Sequence, residues 1–246
     1  MRTLLKLSYD GAPFCGWQVQ PQDRTVQGDL DHALSTLLGV PITTMGAGRT
    51  DTGVHAKYMV AHFDSAPIED HAKLCHRLNR FLDPAIHIIS AEPVHDDFHS
   101  RFDALSRSYE YLLCTAPNPF LREKAWVYGH ELDFDAMNAA AAVLLEVEDF
   151  ASFCKAGSDN KTTICNVTHA GWRQEKDHWV FTITADRFLR NQVRATVGSL
   201  IEVGRGKWTV DNFAERIAQK DRSAMGTSAP AHGLYLSAIT YPENHE

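Results

Sequence analysis

The chain has 246 residues, with 44% hydrophobic and 22% charged residues and a formal net charge of −7. This is ordinary globular composition, enough to bury a core as one large domain or two modest ones, and it excludes a disordered or fibrous chain. No apolar run approaches a bilayer's width, and Met1-Arg2-Thr3 leads straight into Leu4, Leu5 and Leu7 without a signal sequence, so a cytoplasmic location is expected.

Taken in order, residues 2–9 alternate as a strand, and Val26, Leu30, Ala33, Leu34, Leu37 and Leu38 recur at helical spacing up to Gly39. Residues 41–46 and 54–63 read as strands on either side of a glycine-rich connection. A second helix is predicted to start after Ser65, with Pro67 in its first turn and Leu74, Leu78, Phe81 and Leu82 on one face; a strand over 86–91 follows. The same order then recurs: a strand over 102–114, a helix from Asp133 to Leu145, a hairpin of 163–174 and 178–185 about Lys176-Asp177, a helix over 188–203, another over 210–219 capped by Thr209, and a strand over 234–241. The expected fold is therefore α+β. Two tandem ferredoxin-like (RRM-like) β-α-β-β-α-β halves, 1–100 and 101–246, would carry largely antiparallel sheets meeting at a central basic cleft.

The five cysteines, Cys15, Cys75, Cys114, Cys154 and Cys165, are odd in number and widely spaced; this points to buried free thiols rather than disulfides or a zinc site. His95 and His99 stand four apart and His71 and His76 five apart, but Pro93 and the Asp96-Asp97-Phe98 run make the first pair part of a loop, so no metal site is expected. Between Ala185 and Lys207, five basic residues (Arg187, Arg190, Arg194, Arg205, Lys207) face two acidic ones (Asp186, Glu202), a local +3 on an acidic chain. A local basic patch, rather than the net charge, governs contact with a polyanion. Arg187, Arg190 and Arg194 lie at spacings of three and four, which forms a stripe if helix 188–203 runs through all of them, with Phe188, Val193, Val197, Leu200 and Ile201 as its apolar anchors. A solvated helix face is the bland alternative.

The segment most charged with chemistry is GAGRTDTGVHA, residues 46–56. Its glycines permit a tight path and close approach of a ligand. Arg49 and Asp51 are two apart, so in an extended connection their side chains share a direction and can pair, which would keep the carboxylate ionised. A surface Asx-type turn with an ion pair fits the same residues. Tyr109 and Tyr111 share one face of their strand by the two-residue period.

GRTDTGVHA resembles the signature of the TruA family of tRNA pseudouridine synthases. YDGAPFCGWQVQP with TVQGDLDHAL, DDFHSRFDALSRSYEYLL, DRFLRNQVRATVGSL and TSAPAHGLYLSAITYPE resemble further family blocks in the family's order, from Leu7 to Glu243. Thr52 and Ser100 stand where alanine is common. The resemblance implies the pseudouridine synthase fold and isomerisation of uridine to pseudouridine at positions 38, 39 and 40 of the tRNA anticodon stem-loop, with no cofactor or metal. It implies Asp51 as the catalytic carboxylate, Tyr109 as a contact to the target uracil and Arg194 as the basic residue approaching the aspartate. Arg49 would join them in binding substrate, with His99, Arg101, Arg187 and Arg190 facing the RNA. It also implies a homodimer with tRNA bound across both subunits. A non-catalytic RNA-binding protein with two RRM-like halves is the alternative, but no RNP-type aromatic runs are evident. The polar segment 155–162 (KAGSDNKT) is expected to be a loop near the RNA.

Overall fold

The computed structural model describes residues 1–155, 157 and 161–242; half of the segment 155–162 expected to be a loop near the RNA therefore lies outside the described residues. The chain is α+β, with five α-helices among the described residues and mostly antiparallel strand pairing. It divides into two compact units, 1–105 with 235–246, and 106–234.

The first unit contains β1 (Arg2–Tyr9), α1 (Val26–Leu38), β2 (Met45–Gly46), β3 (His55–Asp64), α2 (His71–Phe81) and β4 (Ile86–Val94). β1 is central, antiparallel to β3 from Arg2 opposite Asp64 and to β4 from Arg2 opposite Val94. Its guanidinium locks this corner with two 2.8 Å bonds to the Asp64 carboxylate. Thr25 caps α1 by accepting the Gly28 N–H, and Gly39, at φ 72°, ends it by donating to the Ser35 carbonyl; a glycine tolerates that left-handed backbone without a Cβ penalty. Leu30 and Leu34 from α1 and Leu78 from α2 reach full burial with Leu5, Leu7 and Met59 of the sheet.

Two expectations change here. Only Met45–Gly46 of the predicted strand 41–46 pairs with β3. Ahead of it the chain is held by α1 side chains: Ser35 Oγ accepts the Ile42 N–H, and Asp31 accepts both the N–H and the hydroxyl of Thr44. Backbone groups satisfied in this way need no ladder. Likewise α2 begins after Asp70, whose carboxylate accepts the Lys73 N–H, so Pro67 precedes the helix and Phe81 is left 44% exposed.

The second unit contains β5 (Ser106–Cys114), β6 (Trp126–Val127), α3 (Phe134–Val143), β7 (Val167–Gln174), β8 (Trp179–Ala185), α4 (Gln192–Gly204) and α5 (Val210–Ala218). β8 lies between β5 and β7, antiparallel to both, and Glu175 N donates to His178 O across the hairpin turn. β5 starts four residues later than predicted, because residues 98–103 are consumed by a turn in which Phe102 N and Asp103 N both donate to His99 O. The last strand, β9 (Leu234–Thr240), pairs in parallel with β3 at His55 and Ala56. From Tyr235 on it clusters with the first unit, although the sequence order assigns it to the second half.

α4 departs most from expectation. It starts at Gln192, after Asn191 in a left-handed conformation (φ 67°), so Arg187, Phe188 and Arg190 precede the helix and no three-arginine stripe forms. The helix is buried nearly all round, with Arg194 and Glu202 alone half-buried. A Cβ built on its Gly198 would stand 1.8 Å from the Thr227 carbonyl oxygen. The five cysteines are free thiols; Cys114 and Cys165 are buried, whereas Cys15, Cys75 and Cys154 are only partly covered. Among the described residues no helix is long and apolar enough to cross a membrane.

Gly198→Ala is expected to lower unfolding stability by about 2–3 kcal/mol, because the added methyl meets backbone rather than a side chain that can swing away. Urea titration measures this, and a change within 0.5 kcal/mol, roughly the spread of a neutral surface substitution, would show that the helix can shift at no cost.

Candidate active site

The 46–56 loop belongs to the first unit and is held by the segment leaving β1. Tyr9 OH lies 2.8 Å from Thr50 Oγ1, Trp17 N donates to Thr50 O at 3.2 Å, and Gly53 N donates to Phe14 O at 3.4 Å. The two backbones run so close that a Cβ on Gly11 would lie 2.0 Å from Val54 O and one on Gly16 2.4 Å from Thr50 O. Val54 N donates to Asp51 O at 3.1 Å, with Gly53 at φ 76°, so Asp51 opens a tight turn rather than lying in an extended connection. Asp51 is half-buried, and Arg49 is exposed and makes no ion pair among the described residues. The two-residue spacing therefore does not bring them together, since a turn breaks the common side-chain direction that an extended path supplies.

His55, 2% exposed, anchors the far end of the loop. Its Nδ1 lies 3.0 Å from Gly11 N and 2.9 Å from an Asp10 carboxylate oxygen, and its ring stacks on Tyr235 with centroids 4.6 Å apart. Tyr9, Gly11, Gly16, Trp17 and His55 were not singled out from the sequence as site residues. The two glycines and the Tyr-Asp-Gly and Gly-Trp pairs of YDGAPFCGWQ were the available signal, since paired glycines mark close backbone approach.

His99 and Arg101, also in the first unit, flank a firmly held Ser100. Ser100 N donates to His62 Nδ1 at 3.2 Å, Ser100 Oγ donates to Met45 O at 2.6 Å, and Tyr241 OH donates to Ser100 O at 2.6 Å. Arg101 is exposed and His99 half-buried.

The remaining residues lie in the second unit. Tyr109 is half-buried and meets the Phe188 ring edge-on at 5.1 Å, whereas its neighbour Tyr111 is fully buried and donates its hydroxyl to Pro230 O. Of these two tyrosines on one strand face, Tyr111 is thus the core residue. Arg194 sits in the first turn of α4, where its Nε donates to Ala229 O at 2.8 Å while Ala229 N donates to Arg194 O at 2.9 Å. Arg187 and Arg190 occupy the irregular link between β8 and α4, half-buried and exposed respectively. Among the described residues, no three His, Cys, Asp or Glu side chains converge as metal ligands.

Residues 140–242 match a family model described as tRNA pseudouridine synthase. Three relatives bear the name tRNA pseudouridine synthase A. The one from Parabacteroides distasonis is 50% identical over 98% of this chain and 96% of its own length. That from Bacteroides thetaiotaomicron is 49% identical over 99% and 91%, and that from Burkholderia cenocepacia 40% over 98% and 90%. The chain belongs to the tRNA pseudouridine synthase A family. In this member the GRTDTGVHA and YDGAPFCGWQ blocks are a single structural unit, each closing the other's backbone contacts.

One buried group of the first unit gives the fold a pH dependence. His62 is held down to about 4 from the ordinary 6.5, first by burial and then by the Arg2 charge. The unfolded chain takes up this proton near 6.5 and the folded chain only near 4. Stability is therefore full above 6.5 and drains as pH falls toward 4, on the order of 3 kcal/mol in all. Denaturant midpoints from pH 7 to 4 should fall less steeply in His62→Gln than in the parent, and parallel profiles would remove His62 as the cause.

Proposed function

We propose that this chain isomerises uridine to pseudouridine at positions 38, 39 and 40 of the anticodon stem-loop of tRNA, with Asp51 as the catalytic carboxylate. An isomerase acting on tRNA uridine follows from family membership across nearly the full length. The observation that carries the assignment of Asp51 is its place in a turn gripped on both sides by backbone, half-buried and preorganised where a loop of ordinary residues would be mobile.

The reaction breaks the bond between uracil and ribose, turns the base, and rejoins it through carbon. All atoms are retained, and the carboxylate supplies the covalent or proton-transfer work without a cofactor. A stacked uridine is out of reach, so the nucleotide leaves the helix at a cost of a few kcal/mol. Tyr109 then contacts the uracil and Arg194 approaches the carboxylate, while Arg49 helps to bind the substrate. Arg187, Arg190, His99 and Arg101 face the RNA, where phosphate contacts position it without reading sequence. The link before α4 suits Arg190 to this role, because it is exposed there and not committed to a packed helix face. The two units are read as tandem ferredoxin-like halves of a pseudouridine synthase fold, the first carrying the catalytic loop and the second the base-contacting tyrosine. The enzyme works as a homodimer in the cytoplasm.

Purified protein incubated with unmodified tRNA, without added metal, should form pseudouridine in the anticodon arm when modified positions are mapped. Asp51→Asn should lower the rate at least 10²- to 10⁴-fold, roughly the contribution of a positioned acid or base, while tRNA affinity stays within a few-fold. Retained activity would refute the assignment. Arg190→Ala should weaken binding and reduce the slope of log affinity against log salt by about one phosphate's worth; an unaltered slope would place Arg190 away from phosphate.

A further inference from the structure

Phe102 is 74% exposed, yet its ring is flanked by two side chains of its own turn. Its ring lies on the His99 ring with centroids 4.2 Å apart and planes 34° apart, and the Arg101 guanidinium stands 5.7 Å from its centroid. The backbone beneath is closed on itself. Phe102 N and Asp103 N donate to His99 O, His99 N donates to the Asp103 carboxylate at 2.8 Å, and His99 Nδ1 accepts the N–H groups of Arg101 and Phe102. Ser100, in the middle, is fixed through its N–H, its hydroxyl and its carbonyl. Because Nδ1 is occupied as an acceptor, the neutral His99 ring carries its proton on Nε2, which is a donor.

An aromatic left in water by a rigid turn is unused burial. Phe120 shows the contrast: it is 91% exposed in a short 3₁₀ turn, and among the described residues no ring or guanidinium is paired with it. At Phe102 the three neighbours, an apolar π face, an imidazole donor and a guanidinium, are the combination that takes an unpaired base and its phosphate: the face stacks the base and the two polar groups hold the backbone. We propose that Phe102 is a stacking platform for an unpaired nucleobase of the bound RNA, with His99 and Arg101 as its flanking phosphate contacts. This deepens, and rests on, the assignment of tRNA as substrate. It commits to RNA over a second protein surface because a protein contact has no need of the paired imidazole and guanidinium.

The full-length protein should be titrated with an unmodified tRNA transcript at fixed salt, as wild type, Phe102→Ala, Phe102→Leu and Phe102→Trp, with sedimentation of each variant alone and pseudouridine mapping of the wild type alongside. Phe102 is too exposed to be needed for folding, so melting temperatures should agree. Stacking predicts that Ala and Leu both weaken binding, by about 5- to 150-fold, and that Trp restores it, since a π face is worth roughly that factor per base. The platform is overturned if Phe102→Ala binds within twofold of wild type. It is equally overturned if Leu restores binding as well as Trp does, or if Ala changes the sedimentation of the free protein, because either result makes Phe102 a plain apolar contact, the latter with a second copy of the chain. A wild type that forms no pseudouridine defeats the substrate assignment instead, whereas an active wild type with an indifferent Phe102→Ala defeats the platform alone.

Discussion

The first unit depends on a contact between two stretches of main chain. Where β1 ends, residues 10–17 run against residues 50–54 so closely that no side chain fits between them. Glycine at positions 11 and 16 is a steric requirement there, and Gly16 also adopts φ 87°, a region closed to most residues. The backbone around Asp51 is positioned by this contact. Thr50 is held from both its carbonyl and its hydroxyl, Gly53 is tied to Phe14, and the turn from Asp51 to Val54 has no freedom to open without breaking them. Hydrogen bonds to backbone hold position better than bonds to long side chains, because there are few rotamers to lose.

The second unit solves a related problem in a different way. α4 is buried on nearly every side, so it needs close neighbours rather than one apolar face. Gly198 on the helix and Gly226 on the returning chain supply the closest of these approaches, each built against the other segment's backbone. A buried hydroxyl, Ser199, completes the contact by accepting the Gly226 N–H and donating to Ala195 O. Of the helix's 13 residues, only Arg194 and Glu202 reach partly toward solvent.

How much of this was legible in the sequence depended on whether the deciding interaction was local. Three helices were placed to within a residue or two, with Gly39 ending α1, Asp133 starting α3 and Thr209 starting α5, whereas the helix expected after Ser65 is capped by Asp70 instead. α4 was misplaced because arginines at spacings of three and four imitate helix periodicity, while the feature that starts the helix, a left-handed Asn191 bonded to Ser228, is a long-range matter. The strand expected over 41–46 failed for the same reason, its backbone being satisfied by side chains of α1. Family blocks located Asp51, but nothing in the spacing of Arg49 and Asp51 revealed that a turn would separate them. Nor did the sequence reveal that Ser100, where alanine is common, uses its hydroxyl to tie two separate pieces of chain together.

The two hydrogen bonds between Arg194 and Ala229 have a consequence for which cation the position can hold. With Nε committed to a carbonyl, the guanidinium plane is fixed along one edge. A lysine has a single ammonium and no planar edge to lay against that carbonyl. It would hold the returning chain by a point charge alone, so the position selects for the shape of the cation as well as its charge.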